Sequence, residues 1–203
     1  FFYKMLHKCY RLGGCALFAM LTACASSYNS APMLPQNASW QRAEITIDNA
    51  PIVILKQQGG VSGQGVRLYI EGDGSAFTAT GYPSGNPTPR NPVALHLMQA
   101  DSSGVTLYYI GRPCQWVTLP HPSCTPARWT TQRFTPALRD AYIKVAQDLA
   151  GDAPTEVIGY SGGAWFAAQI APHLANPIGV RAVAGNLNPN LINKHHRVPR
   201  MEV

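Results

Sequence analysis

Apolar and polar residues alternate through Ala43-Glu-Ile-Thr-Ile47, which predicts a half-buried strand over 42–48. Pro51-Ile-Val-Ile-Leu-Lys56 predicts a second strand, with Gly59, Gly60, Gly63 and Gly65 in the turn after it. Val66-Arg-Leu-Tyr-Ile70 is a third, ending in Glu71-Gly-Asp-Gly-Ser75. The pattern then changes period. Asn91-Pro92 is a capping pair for a helix over 92–100, and Val105–Ile110 is a fourth strand. Thr135-Pro136 opens a helix running to about Ala150, with Leu138, Tyr142, Val145 and Leu149 at helical spacing and Gly151 closing it. Glu156-Val-Ile158 reads as a strand, Ala164 to Leu174 as a helix with Pro172 in its last turn, and Gly179–Gly185 as a final strand. The order β-β-β-α-β-α-β-α-β predicts an α/β fold, a mostly parallel sheet with helices on both faces.

Length and composition narrow this picture. A chain of 203 residues can bury one sizeable core, and 46% apolar residues is ordinary for a globular protein. The net charge is +6, but Lys4, Lys8, Arg11, Arg197 and Arg200 are scattered over the two ends. Nucleic-acid binding needs a basic cluster on one element, so no nucleic-acid partner is expected.

Lys4, Lys8 and Arg11 precede a short apolar core, Leu12 to Leu21, too short to span a bilayer. It closes on Leu21-Thr-Ala-Cys24, which resembles the lipobox of bacterial lipoproteins. The resemblance implies a signal peptide over 1–24, lipidation at Cys24, and an acyl anchor in the membrane. Ala25, where an aspartate would otherwise retain such a protein, implies the outer membrane, facing the periplasm. The alternative is an ordinary secretory leader with an incidental cysteine. Residues 25–40 are small, polar and interrupted by proline, the composition of a flexible tether. Cys9 and Cys15 would leave with the leader. Cys114 and Cys124 then form an even pair, predicted to bridge and to pin a structureless excursion. A metal site built from them and His121 would lack a fourth ligand and CxxC spacing, so no metal is expected.

The candidate chemistry lies in Gly159-Tyr-Ser-Gly-Gly163, a G-x-S-x-G pattern between a strand and a helix. Chance gives such a pattern about 0.1 times in this composition. In that setting a serine hydroxyl stands exposed on a tight elbow, at a helix N-terminus that favours developing negative charge. The alternative is a glycine-rich turn of some other α/β domain. The second candidate is Gly72-Asp-Gly74, a turn whose amides can approach a ligand closely. Tyr82 to Pro92, with four prolines, is an irregular loop able to wall a pocket, and His96 falls on a helix surface.

From Arg42 to about Asn190 the chain resembles the α/β-hydrolase superfamily, on the strength of the elbow, the Glu71-Gly-Asp-Gly74 turn and the spacing between them. The resemblance implies a serine hydrolase of small esters or amides with no cofactor. It implies that Ser161 is the nucleophile and that the N–H groups of Asp73 and Gly162 form the oxyanion hole. Glu71 stands where many esterases carry histidine. The family order places an acid and then a histidine after the serine. Here no aspartate follows Ser161, Glu202 is the sole acid, and His173, His195 and His196 come too early or point away. The expectation is therefore a partial hydrolase domain over 41–203, incomplete at its C-terminus, without acid and base, and with an uncovered sheet edge. The competing expectation is a non-catalytic, hydrolase-like envelope lipoprotein that binds a partner.

Overall fold

The computed structural model describes Leu34, residues 39–57 and residues 64–195. The signal segment, Cys24, most of the tether, Gly59, Gly60, Gly63, His196 and Glu202 lie outside the described residues.

Strand periodicity separates the core into two layers. In β2 (Ala50–Gln57), Ile52 and Ile54 face one side while Val53 and Leu55 face the other. In β3 (Val66–Ile70), Leu68 and Ile70 oppose Tyr69 in the same way, as do Val157 and Ile158 in β5 (Thr155–Tyr160). Successive side chains point to opposite faces of a sheet, so apolar runs of this kind need cover on both. On one face lie α3 (Pro136–Ala150), through Leu138, Tyr142 and Ala146, and α4 (Gly162–Ile170), through Phe166, Ala167 and Ile170. On the other lies α1 (Val93–Gln99), through Ala94, Leu95 and Met98.

Six strands among the described residues form one sheet in the order β1-β2-β4-β3-β5-β6. β1 (Trp40–Ile47) and β2 run antiparallel to their neighbours, and β4 (Thr106–Ile110), β3, β5 and β6 (Pro177–Val183) are mutually parallel. This is the expected α/β class, a mostly parallel sheet with helices on both faces. β6 is the outer strand on its side, and Ile178 and Val180 are 64% and 43% exposed there. Among the described residues no helix is long and apolar enough to cross a membrane.

Three local expectations change. Asn91 does not cap α1: the N-cap position is Pro92, without a side-chain bond, and the Glu71 carboxylate accepts from Ala94 N instead, at 3.5 Å. Cys114 and Cys124 do form a disulfide, with Cα atoms 5.7 Å apart. The segment it closes is not a bare excursion, because Gln115, Trp116 and Val117 are buried against the sheet and a short helix, α2 (Pro126–Trp129), follows it. A further helix, α5 (Pro189–His195), follows β6. Thr135, by contrast, caps α3 as expected, its hydroxyl accepting from Leu138 N at 3.3 Å.

Candidate active site

Strand order decides where a ligand can sit. From β3 the chain crosses to β4 on one side, and β5 returns on the other side of β3. Crevices open beyond the carboxyl ends of parallel strands at such a divergence. Ile70 is in register with Gly159, so the turns leaving β3 and β5 begin side by side.

Ser161 joins β5 to α4 with φ 50° and ψ −118°. A side-chain-bearing residue adopts this backbone at a cost of about 1–3 kcal/mol, and only where neighbours hold it. Ser161 N donates to Val183 O at 2.9 Å, and its carbonyl accepts from Ala164 N at 3.1 Å and Asn186 N at 2.9 Å. The surrounding glycines make the turn possible. A Cβ on Gly159 would lie 2.3 Å from Gly163 O, and one on Gly163 would lie 2.3 Å from Ile70 O. Strand, helix and neighbouring strand therefore touch backbone to backbone. Ser161 is half-buried, and its hydroxyl has no hydrogen bond among the described residues.

The other sequence-predicted residues gather at this serine. A Cβ on Gly72 would come 3.2 Å from Ser161 Cβ, and one on Gly162 would come 2.2 Å from Asp73 Oδ1. The backbone N–H groups of Asp73 and Gly162 have no acceptor among the described residues. Gly162 also begins α4, where amide groups are unpaired and the helix dipole is positive.

A network that sequence reasoning missed holds the 71–75 turn in place. Glu71 is buried; its carboxylate accepts from Gly72 N at 2.9 Å and from the Tyr109 hydroxyl at 3.4 Å. Burial pushes its pKa up, while these bonds and those from the start of α1 pull it down. Gln115 Nε2 donates to Gly72 O at 3.0 Å, and Gln115 Oε1 accepts from Arg112 N. Asp73 is clamped by two arginines: Arg112 Nη1 donates to Oδ1 at 3.1 Å and Arg133 Nε to Oδ2 at 3.0 Å. Burial pushes the Arg133 guanidinium down, and Asp73 opposes this. Arg133 also reaches Asn193 of α5, and Arg112 stacks over Phe166 at 4.3 Å. The signal for this clamp is slight: Arg112 just after an apolar strand, and Arg133 beside Phe134, in a chain with only 13% charged residues.

The histidines stay away from the serine as far as they are described. His96 is exposed on α1, and His173 is exposed after α4. His121 Nδ1 lies 2.9 Å from Ser123 Oγ. The side chains of His195 and His196 lie outside the described residues. Beside Ser161 is a cleft of about 320 Å³ whose lining includes Asp73, Ser75, Arg90, Asn91 and Tyr160. The proline-rich loop over 82–92 thus supplies one wall.

No protein-family model matches the chain, and no curated protein matches it. Among solved structures, it is similar to a hormone-sensitive-lipase homologue from a metagenome library, with 18% identity over 75% of this chain and 47% of that one, at a TM-score of 0.42. An esterase/lipase from an uncultured bacterium matches with 12% identity over 80% of this chain and 52% of that one, at 0.43. An alpha-beta serine hydrolase homologue from Coxiella burnetii matches with 14% identity over 64% and 56%, at 0.40. The chain spans about half the length of these structures.

Proposed function

We propose that the protein is a serine hydrolase of small esters or amides that works through an acyl-enzyme on Ser161, tethered by a lipid on Cys24 to the outer membrane, facing the periplasm. The observation that carries this reading is the positive φ of Ser161 at a strand-to-helix turn, with the Asp73 and Gly162 amides unpaired beside it. In the proposed reaction, Ser161 Oγ bonds to the substrate's carbonyl carbon while a base takes its proton. The Asp73 and Gly162 N–H groups stabilise the resulting oxyanion. The carbon–oxygen or carbon–nitrogen bond then breaks as the leaving group accepts that proton, and water releases the acid by the reverse route. Among the described residues no side chain is hydrogen-bonded to Ser161 Oγ as that base.

A second reading, a non-catalytic lipoprotein that binds an envelope partner, is favoured by one observation. No described histidine is hydrogen-bonded to Ser161. Hydrolysis of a short-chain p-nitrophenyl ester separates the two. Under the hydrolase reading, Ser161→Ala lowers kcat/KM by about 10³-fold or more. Equal slow rates in parent and variant would support the binder.

A further inference from the structure

We infer that the cleft beside Ser161 takes short substrates carrying a carboxylate, with Arg90 as the residue that selects them. This rests on the hydrolase reading of Ser161 and names its substrate class. The lining is the first argument. A long acyl chain needs an extended apolar wall, yet apart from Pro89 and the Tyr160 ring this cleft presents polar side chains, Asp73, Ser75, Arg90, Asn91 and Ser161 among them. Its volume, about 320 Å³, is at the small end for ligand sites. Both properties fit a compact polar substrate.

Charge accounting is the second argument. Two carboxylates line the cleft, and both are already engaged. Glu71 is 1% exposed and turned into backbone N–H groups and the Tyr109 hydroxyl. Asp73 gives one oxygen to Arg112 and the other to Arg133. Arg90 is exposed on the rim and has no hydrogen bond or ion pair among the described residues. Among the described residues it is therefore a cation without a counter-charge in the same cleft as the serine. A guanidinium pairs with a carboxylate through two parallel hydrogen bonds, so an anionic arm on the substrate completes it. Arg90 follows Pro87-Thr-Pro89, which is buried, so its backbone is fixed although its side chain is not.

Binding tests this without requiring turnover. Monoethyl succinate and its uncharged amide counterpart, ethyl succinamate, are titrated into the Ser161→Ala protein by calorimetry at low salt. The carboxylate is expected to bind about tenfold more tightly, with the ratio shrinking as salt rises. Arg90→Ala should bring the ratio to about one, Arg90→Lys should retain part of it, and Arg90→Glu should invert it. Equal binding of the two ligands, binding of neither, or a ratio unchanged in Arg90→Ala would overturn the inference. The hydrolase reading is scored separately, by labelling Ser161 in the parent with a neutral fluorophosphonate. Arg90-dependent carboxylate binding without labelling would leave an anion site but overturn its role in substrate selection.

Discussion

Asp73→Ala is expected to lower folding stability by about 3–5 kcal/mol, because it strands two buried cations. The side chains of Arg112 and Arg133 are only 4% and 5% exposed, and each spends a strong hydrogen bond on one Asp73 oxygen. Removing the carboxylate leaves two buried guanidinium charges without the anion that lies between them. Arg112 and Arg133 also hold the chain together beyond the turn, since Arg112 donates to Arg133 O and Arg133 to Thr130 O. The loss should therefore spread to the segment between β4 and α3. Asp73→Asn keeps one acceptor oxygen but turns its NH2 toward the other guanidinium and leaves both charges uncompensated, so it should also destabilise, though by less than Asp73→Ala. Urea unfolding followed by tryptophan fluorescence measures both. If Asp73→Ala unfolded at the parent's midpoint, the clamp would not be holding this end of the sheet. The clamp also has a chemical consequence. A bare carboxylate against Gly162 would repel an oxyanion, and the two guanidiniums offset that charge.

Gly163→Ala is expected to cost about 3 kcal/mol or more, and to reduce soluble protein sharply. The added methyl would lie 2.3 Å from Ile70 O and 2.6 Å from Glu71 O. Both neighbours are backbone, so neither can rotate aside. Relief would require α4 to lift from β3, pulling Phe166, Ala167 and Ile170 out of the core. Gly85→Ala is the matched control. Nothing lies within 4 Å of a Cβ there, so its effect should stay within about 0.5 kcal/mol. Thermal unfolding of the pair gives the comparison, and similar midpoints would mean that the elbow is loosely packed.

The elbow could be read from the sequence because its G-x-S-x-G spacing is local, and Gly159 is required by Gly163 and Ala164 of the same turn, although Gly162 and Gly163 are required by Asp73, Ile70 and Glu71 at the end of β3. The strands were equally legible, since β2, β3 and β5 each carry the apolar run that a doubly covered sheet needs. Even the meeting of residues 72–74 with Ser161 is expected, through the family resemblance that the elbow, the turn and the spacing between them carry. Long-range polar contacts were not legible. Arg112 and Arg133 lie 39 and 60 residues from Asp73, and no periodicity links such positions. In the sequence Glu71 stands out only as a departure from a histidine, whereas its buried carboxylate caps α1 and fixes Gly72. One missed element did have a local signal. Asn188-Pro189 repeats the capping pattern, and Asn188 Oδ1 accepts from Leu191 N at 3.0 Å at the start of α5.

The central proposal is that Ser161, on its strained turn, is the nucleophile. Incubating the folded protein with a neutral fluorophosphonate, then digesting it and mapping the adduct by mass spectrometry, tests this most directly. The account predicts one phosphonyl group on Ser161 and none in the Ser161→Ala variant. A folded protein that takes up no label, or takes it up on another serine, would contradict it.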